Sequence, residues 1–220
     1  MTNPWLDIPL DEYERHMALP QVTQAPLLAD VFKGLLEQRR PRSVAVLGCA
    51  GGNGFQWISP DVTERVVAMD INPSYVEQVR IRFEGRIRGL ELFVGDIQTE
   101  EVAFHPVELI FAGLLLEYVD VEAVLRKLHS LLVPGGVFGT VVQLTHPATA
   151  VVTPSPFRSL QALAPVMRFV PPARLTELAE RHAFREIESR VLESPGGKRF
   201  QVQTFRLRHD QATEPGSAGP

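Results

Sequence analysis

Between Gly48 and Gly54 the sequence G-C-A-G-G-N-G places four glycines in seven residues, directly after the apolar run Val44–Leu47. Without a Cβ, backbone N–H groups can approach a ligand closely, and a helix opening behind the loop would add positive potential at its N-terminus. No Gly-Lys-Ser/Thr follows, so this is not a phosphate-gripping loop, and Ala50 stands where G-x-G-x-x-G needs its second glycine. The loop alone points to a nucleotide-like ligand, with a ligand-free tight turn as the alternative. Two carboxylates narrow the choice. Asp70 lies 22 residues beyond Gly48, at the end of R-V-V-A-M-D. There a carboxylate can accept from both hydroxyls of a ribose. Asp96 closes L-E-L-F-V-G-D with Ile97 beside it. A carboxylate at that place can accept from an adenine amino group while Ile97 packs on the ring. A nicotinamide dinucleotide explains Asp70 but has no comparable use for Asp96 and Ile97; a plain turn cap is the other reading of Asp96.

The elements that must position these residues alternate between apolar strand and amphipathic helix. Val44–Leu47 reads as the first strand, followed by the glycine loop and a brief helix around Phe55–Ile58 closed by Pro60. Arg65–Asp70 is the second strand, and Asn72-Pro73 caps a helix with Val76, Val79 and Phe83 inward. Leu90–Asp96 and Val107–Gly113 are the third and fourth strands. Asp120 caps a helix with Val124, Leu125, Leu128, Leu131 and Leu132 on its buried face, stopping at V-P-G-G; Val137–Leu144 is the fifth strand. This alternation predicts a parallel sheet with right-handed crossovers.

Ahead of it, residues 1–42 read as a helical lid segment broken at Pro20 and Pro26, with a stripe of Leu27, Leu28, Val31, Leu35 and Leu36 ending near Pro41. Behind it, 145–171 reads as an irregular, proline-rich insert. Pro172 opens a helix with Leu175, Leu178 and Ala179 inward, and Phe184–Arg208 folds as a hairpin about Ser194-Pro195-Gly196-Gly197. Residues 43–208 thus form one α/β domain, and the polar tail 209–220 is expected to be disordered.

A chain of 220 residues suffices for one domain with a full core. Its net charge of −4, with no Lys/Arg cluster longer than Arg39-Arg40-Pro41-Arg42, argues against a nucleic-acid partner. The single cysteine, Cys49, excludes an intramolecular disulfide and a cysteine-based zinc site, and the six scattered histidines have no metal-ligand spacing. No uncharged apolar run reaches the roughly 18 residues of a membrane span. A soluble, cytoplasmic protein without a membrane partner is expected, with a homodimer left open.

The order of these motifs resembles that of the class I S-adenosylmethionine-dependent methyltransferases over about Val44–Leu144, and the C-terminal hairpin extends the likeness. V-L-G-C-A-G-G-N-G-F is similar to the family's glycine loop, V-V-A-M-D-I-N to its ribose-binding segment, V-G-D-I-Q to its adenine-binding segment and L-L-V-P-G-G-V-F-G-T-V-V to the approach to its fifth strand. The resemblance implies a Rossmann-like α/β fold: a seven-stranded, mostly parallel sheet with helices on both faces, the antiparallel seventh strand lying between the fifth and sixth. It implies S-adenosyl-L-methionine as cofactor, with Gly48, Ala50 and Gly52 bordering the methionine half, Asp70 the ribose, and Asp96 and Ile97 the adenine. Cys49, Ile71 and Gly113 adjoin them in the same set. Family members commonly carry Asp or Glu two residues before the first glycine, where this chain has Val46. The group holding the cofactor's amino end is then expected from Gln24, Gln21 or Asn53.

Segments after the fourth strand face the methyl group in this family, and here they hold Glu117 and Tyr118. The Asn-Pro-Pro-Tyr-like motif of amide or adenine methylation is absent. Methyl transfer needs alignment, and a base where the acceptor is a hydroxyl. Glu117, Tyr118, His16 and His146 are the candidates, against plain surface or packing roles for the first two. His105, His129 and His182 read as solvent-facing. Trp5, Tyr13 and Met17 could roof an apolar pocket or simply pack. Cys49 has no base beside it and reads as a small buried residue. The expected reaction is methylation of a small-molecule acceptor at O or N, with a cofactor-binding protein lacking turnover, or a nicotinamide-dependent oxidoreductase, as alternatives.

Overall fold

The computed structural model describes residues 3–99, 104–145 and 150–208. Strands β1 (Ser43–Leu47), β2 (Arg65–Asp70), β3 (Leu90–Val94), β4 (Val107–Gly113), β5 (Leu132–Gln143), β6 (Phe184–Glu193) and β7 (Arg199–Leu207) form one sheet in the order β3-β2-β1-β4-β5-β7-β6. β1 to β5 pair in parallel, while β7 runs antiparallel between β5 and β6. This is the topology the motif order implied.

The central strands β1, β2 and β4 are apolar on both faces because both are covered. Val44, Val46, Val66, Ala68, Leu109 and Phe111 pack toward α2 (Gln24–Arg39) and α3 (Pro73–Phe83), with Phe32, Leu35 and Val79 among their partners. The alternate residues, among them Ala45, Leu47, Val67, Met69 and Ile110, pack toward α4 (Val121–Leu131) and α5 (Pro172–Arg181). The two-residue period of the strands therefore serves two cores. A short helix, α1 (Leu10–Met17), lies before α2 near the ends of β1 and β2. It is held by the Tyr75 hydroxyl donating to the Ile8 carbonyl (3.0 Å) and the Ser159 hydroxyl donating to Glu12 (2.5 Å).

Several boundaries differ from the sequence expectation. No α-helix follows the glycine loop: Phe55–Trp57 is a three-residue 3-10 turn, with Trp57 N donating to Gly54 O and Ile58 N to Phe55 O. Gly54 at φ 90° precedes it and Pro60 follows at once, so there is no room for a second turn and no helix dipole behind the loop. Pro26 does not break a helix but lies in the first turn of α2, where its missing N–H costs nothing. β3 ends at Val94, so Asp96 belongs to a turn. α4 ends at Leu131, and β5 starts directly at Leu132, carrying Pro134 and Gly135 within a bulged register against β4. The 145–171 insert contains a 3-10 segment at Arg158–Leu163. The tail 209–220 lies outside the described residues. Among those described, no helix is long and apolar enough to cross a membrane.

Candidate functional site

The parallel strands end at a rim where Gly48, Asp70, Asp96 and Gly113 follow β1, β2, β3 and β4, and a cavity of about 80 Å³ opens among them. Asp70 is nearly buried. Its Oδ2 accepts from Ala50 N (2.9 Å) and its Oδ1 from Asn72 N (3.0 Å). Burial pushes its carboxyl up to about 6, against the backbone N–H groups of Asn72, Ala50 and Ile71, which pull it down. Each oxygen keeps a lone pair for a ligand hydroxyl. Ala50 aims its N–H at Asp70 from φ 45°, in the left-handed region that glycine favours, and Gly48 sits at φ 67°. On the next strand end, Asp96 Oδ1 accepts from Gln98 N (2.9 Å) and from Gln98 Nε2 (3.1 Å), while Ile97 is buried beside it in the same cavity. Two carboxylates, the apolar side chain of Ile97 and a glycine-rich loop suit an adenosine linked to sulfur.

A larger cavity of about 310 Å³ lies on the outer side of the glycine loop and shares Tyr13, Gly48, Ala50 and Gly113 with the first. Cys49, Gly51, Gly52 and Asn53 line it, with Val46 at its floor. A Cβ on Gly52 would stand 2.5 Å from the Phe83 ring, so the φ 84° turn there also needs its close approach. The Cys49 thiol is pushed up by burial first and by Asp70 second, which keeps it an inert thiol. Asn53 is committed elsewhere, its Nδ2 donating to Ala25 O (2.8 Å). The charged groups on this wall are Glu14 of α1 and Arg82 of α3.

The third cavity, about 50 Å³, meets the first along Trp5, Tyr13, Leu114 and Tyr118. Leu114 at φ 56° turns the chain off β4 into a 3-10 turn, Leu116–Tyr118, which carries Glu117 inward to 1% exposure. Glu117 Oε1 accepts from Gln143 N (2.7 Å), whereas Oε2 has no partner among the described residues. Burial drives this carboxyl up to about 7. Across the cavity Lys198, 4% exposed, donates to Val151 O (2.9 Å) and Gln143 Oε1 (3.2 Å), and burial brings its amine down to about 8. His16 is buried with Nδ1 unpartnered among the described residues; burial, then the charge of Lys198, lowers its pKa and keeps it neutral. Trp5 meets Tyr118 and Tyr13 edge-on, with ring centroids 5.1 and 5.6 Å apart.

The structure thus gathers Gly48, Ala50, Asp70, Ile71, Asp96, Ile97 and Gly113 around one cavity, and Cys49, Gly52 and Asn53 around its neighbour. Glu117, Tyr118 and His16 meet in the third. Gln24 lines that third cavity and not the glycine loop, and Gln21 is exposed with its carbonyl against the Gly196 turn. Neither reaches the place expected for the cofactor's amino end. His146 lies outside the described residues. Glu14, Arg82, Gln143 and Lys198 were missed by the sequence reading. Glu14 and Arg82 line the second cavity, Gln143 and Lys198 the third, and none stands in a motif that singles it out.

Residues 44–136 match the family model described as a methyltransferase domain. No curated protein matches the chain. Among solved structures, the N-methyltransferase NodS of Bradyrhizobium japonicum, in complex with S-adenosyl-L-homocysteine, is similar at 15% identity over 94% of this chain and 99% of that one, with TM-score 0.65. An S-adenosylmethionine-dependent methyltransferase of Mesorhizobium loti is similar at 17% identity, over 74% and 90%, TM-score 0.59. A TehB-like methyltransferase of Corynebacterium glutamicum is similar at 16%, over 81% and 88%, TM-score 0.60. At such identities the structural likeness speaks for the fold. Residues 44–136 thus carry a methyltransferase domain, set in a seven-stranded sheet of the fold that these S-adenosylmethionine-dependent methyltransferases share.

Proposed function

We propose that this enzyme methylates a hydroxyl or amine of a small molecule seated in the Glu117 cavity, with Glu117 taking the acceptor's proton. S-adenosylmethionine supplies a methyl group on a sulfonium that departs as a neutral thioether, so the protein has no leaving anion to stabilise. What the chain must provide is alignment and a proton acceptor. The acceptor's lone pair forms the new bond to the methyl carbon, the carbon–sulfur pair passes to sulfur, and the acceptor's proton goes to Glu117 Oε2.

The observation that carries this reading is the buried oxygen of Glu117, without a partner among the described residues, in a cavity that adjoins the Asp70 rim. Leaving such an acceptor unsatisfied costs about 1–3 kcal/mol, which a ligand N–H or O–H would recover. A carboxyl held at about 7 is also near the best value for a base at neutral pH. His16, kept neutral, is a second proton acceptor in the same cavity, and Lys198 offers a cation to an acidic group on the acceptor. In this reading Asp70 holds the ribose, Asp96 and Ile97 the adenine, and the segment before Ser43 acts as a lid through Trp5 and Tyr13. The cavity's volume of about 50 Å³ and the net charge of −4 favour a small molecule over a nucleic acid.

Formation of S-adenosylhomocysteine from S-adenosylmethionine, followed over a panel of small phenols and amines, tests the proposal. Glu117→Gln is expected to slow turnover roughly a hundredfold while binding S-adenosylhomocysteine as tightly as wild type. Undiminished turnover in that variant would remove Glu117 from the chemistry. Tight cofactor binding with no turnover on any acceptor would favour a binding role.

A further inference from the structure

The family's usual acid ahead of the first glycine is missing, and Val46 is packed instead among apolar neighbours of α2. The amino-acid end of the cofactor still brings an ammonium and a carboxylate, and burying either without a counter-charge is costly. The cavity over the glycine loop has two charged residues on its wall, from elements far apart in sequence: Glu14 of α1 and Arg82 of α3. They form a two-pronged pair, Nη1 donating to Oε1 at 2.5 Å and Nη2 to Oε2 at 3.0 Å. Arg82 Nη1 also donates to the carbonyl of Gly51 (2.9 Å). Gly51 lets the pair lie on the loop, since a Cβ there would stand 2.3 Å from both Arg82 Nη1 and Glu14 Oε1. The pair is not sealed: its side chains are 38% and 39% exposed, so exchanging partners breaks no buried contact. Tyr13 joins this place to the ribose end, for it lines both cavities, and its phenol is pushed up by burial and then by the charges of Asp70 and Glu14.

We propose that Glu14 and Arg82 form a clamp for the zwitterionic end of the cofactor, Glu14 receiving the ammonium and Arg82 the carboxylate. The proposal rests on the cofactor placement above. Without ligand the two groups neutralise each other. On binding, each exchanges its partner for the opposite charge of the ligand, so the site stays neutral throughout. An acid carried by α1 in place of one fixed on β1 makes that helix part of the cofactor site.

Calorimetry with two probes separates the clamp from the adenosine site. S-adenosylhomocysteine carries the amino-acid end; 5′-methylthioadenosine has the same adenosine and sulfur without it. Glu14→Gln and Arg82→Met are each expected to weaken S-adenosylhomocysteine binding roughly tenfold or more. Both should leave 5′-methylthioadenosine within about twofold of wild type, and that retained binding reports that the variants are folded. If wild type binds both probes and Glu14→Gln keeps both affinities, or loses both equally, the clamp is wrong while the adenosine site stands. A loss in Glu14→Gln without one in Arg82→Met overturns the Arg82 half. A wild type that binds neither probe overturns the adenosine placement and the clamp together.

Discussion

Asp70 sits where its charge is expensive and useful at once. Burial holds its carboxyl at about 6, and a ribose hydroxyl donates more strongly to the ionised form. Affinity for S-adenosylhomocysteine should therefore rise between pH 5 and pH 7 and level off above. Asp70→Asn should bind about tenfold or more weakly and with little pH dependence over that range. A flat wild-type profile by calorimetry would tell against ribose contact at this residue. Beside it, Ala50 holds φ 45° to aim its N–H at Asp70, at a cost of about 1 kcal/mol for a residue with a Cβ. Ala50→Gly removes that strain but frees the unfolded chain, and the two effects nearly cancel. Its melting temperature should stay within a few degrees of wild type, and its affinity for S-adenosylhomocysteine should be retained. A large loss of either would mean that the Ala50 methyl, not its backbone, is what the loop needs.

At the scale of elements, α1 reaches all three cavities. Tyr13, Glu14, His16 and Met17, at helical spacing, line the three cavities between them. The segment ahead of α1 is latched through Asn72, whose Nδ2 donates to Trp5 O (2.8 Å) while its Oδ1 caps α3 through Ser74 N (2.9 Å). Asn72→Ala loses a cap worth about 1 kcal/mol and the latch together, whereas Asn72→Ser keeps a cap without the reach to Trp5. Amide exchange over residues 3–8 should thus speed up in both variants, and melting temperature should drop mainly in the first. Sequence pattern carried the strands and the rim well. A parallel strand covered on both faces is a short apolar run, and Asp70 and Asp96 stand just where such runs stop. The turn at Phe55–Trp57 misled because a helix is expected behind a strand and glycine loop, while Gly54 and Pro60 leave it no length. Glu14, Arg82 and Lys198 could not be picked out, because each is an ordinary charge on its own element. Only packing across the sheet's rim brings residues 14, 51 and 82 together.

For the molecule as a whole, two buried carboxyls with raised pKa give stability an unusual slope. Asp70 at about 6 and Glu117 at about 7 both hold their protons more tightly folded than unfolded. Between an unfolded value near pH 4 and these folded values the native state binds more protons, so their contribution is full below that window and is lost as pH rises through it. Each shift is worth on the order of 3 kcal/mol at most. His16 works in the opposite sense: held neutral in the fold, it disfavours the native state below about pH 6.5. The lowered amine of Lys198 costs a constant amount below about pH 8 and adds a slope only above it, where that cost is relieved. The difference between wild type and Glu117→Gln cancels both and isolates Glu117. At pH 5 the two proteins should melt at similar temperatures; by pH 8 the variant should melt higher, by several degrees, because it no longer buries a charge. Melting curves that stay parallel across this range would mean that Glu117 is solvated well enough to ionise freely. A base of that kind would have no raised pKa to match to neutral pH, and the acceptor's proton would have to leave through His16 instead.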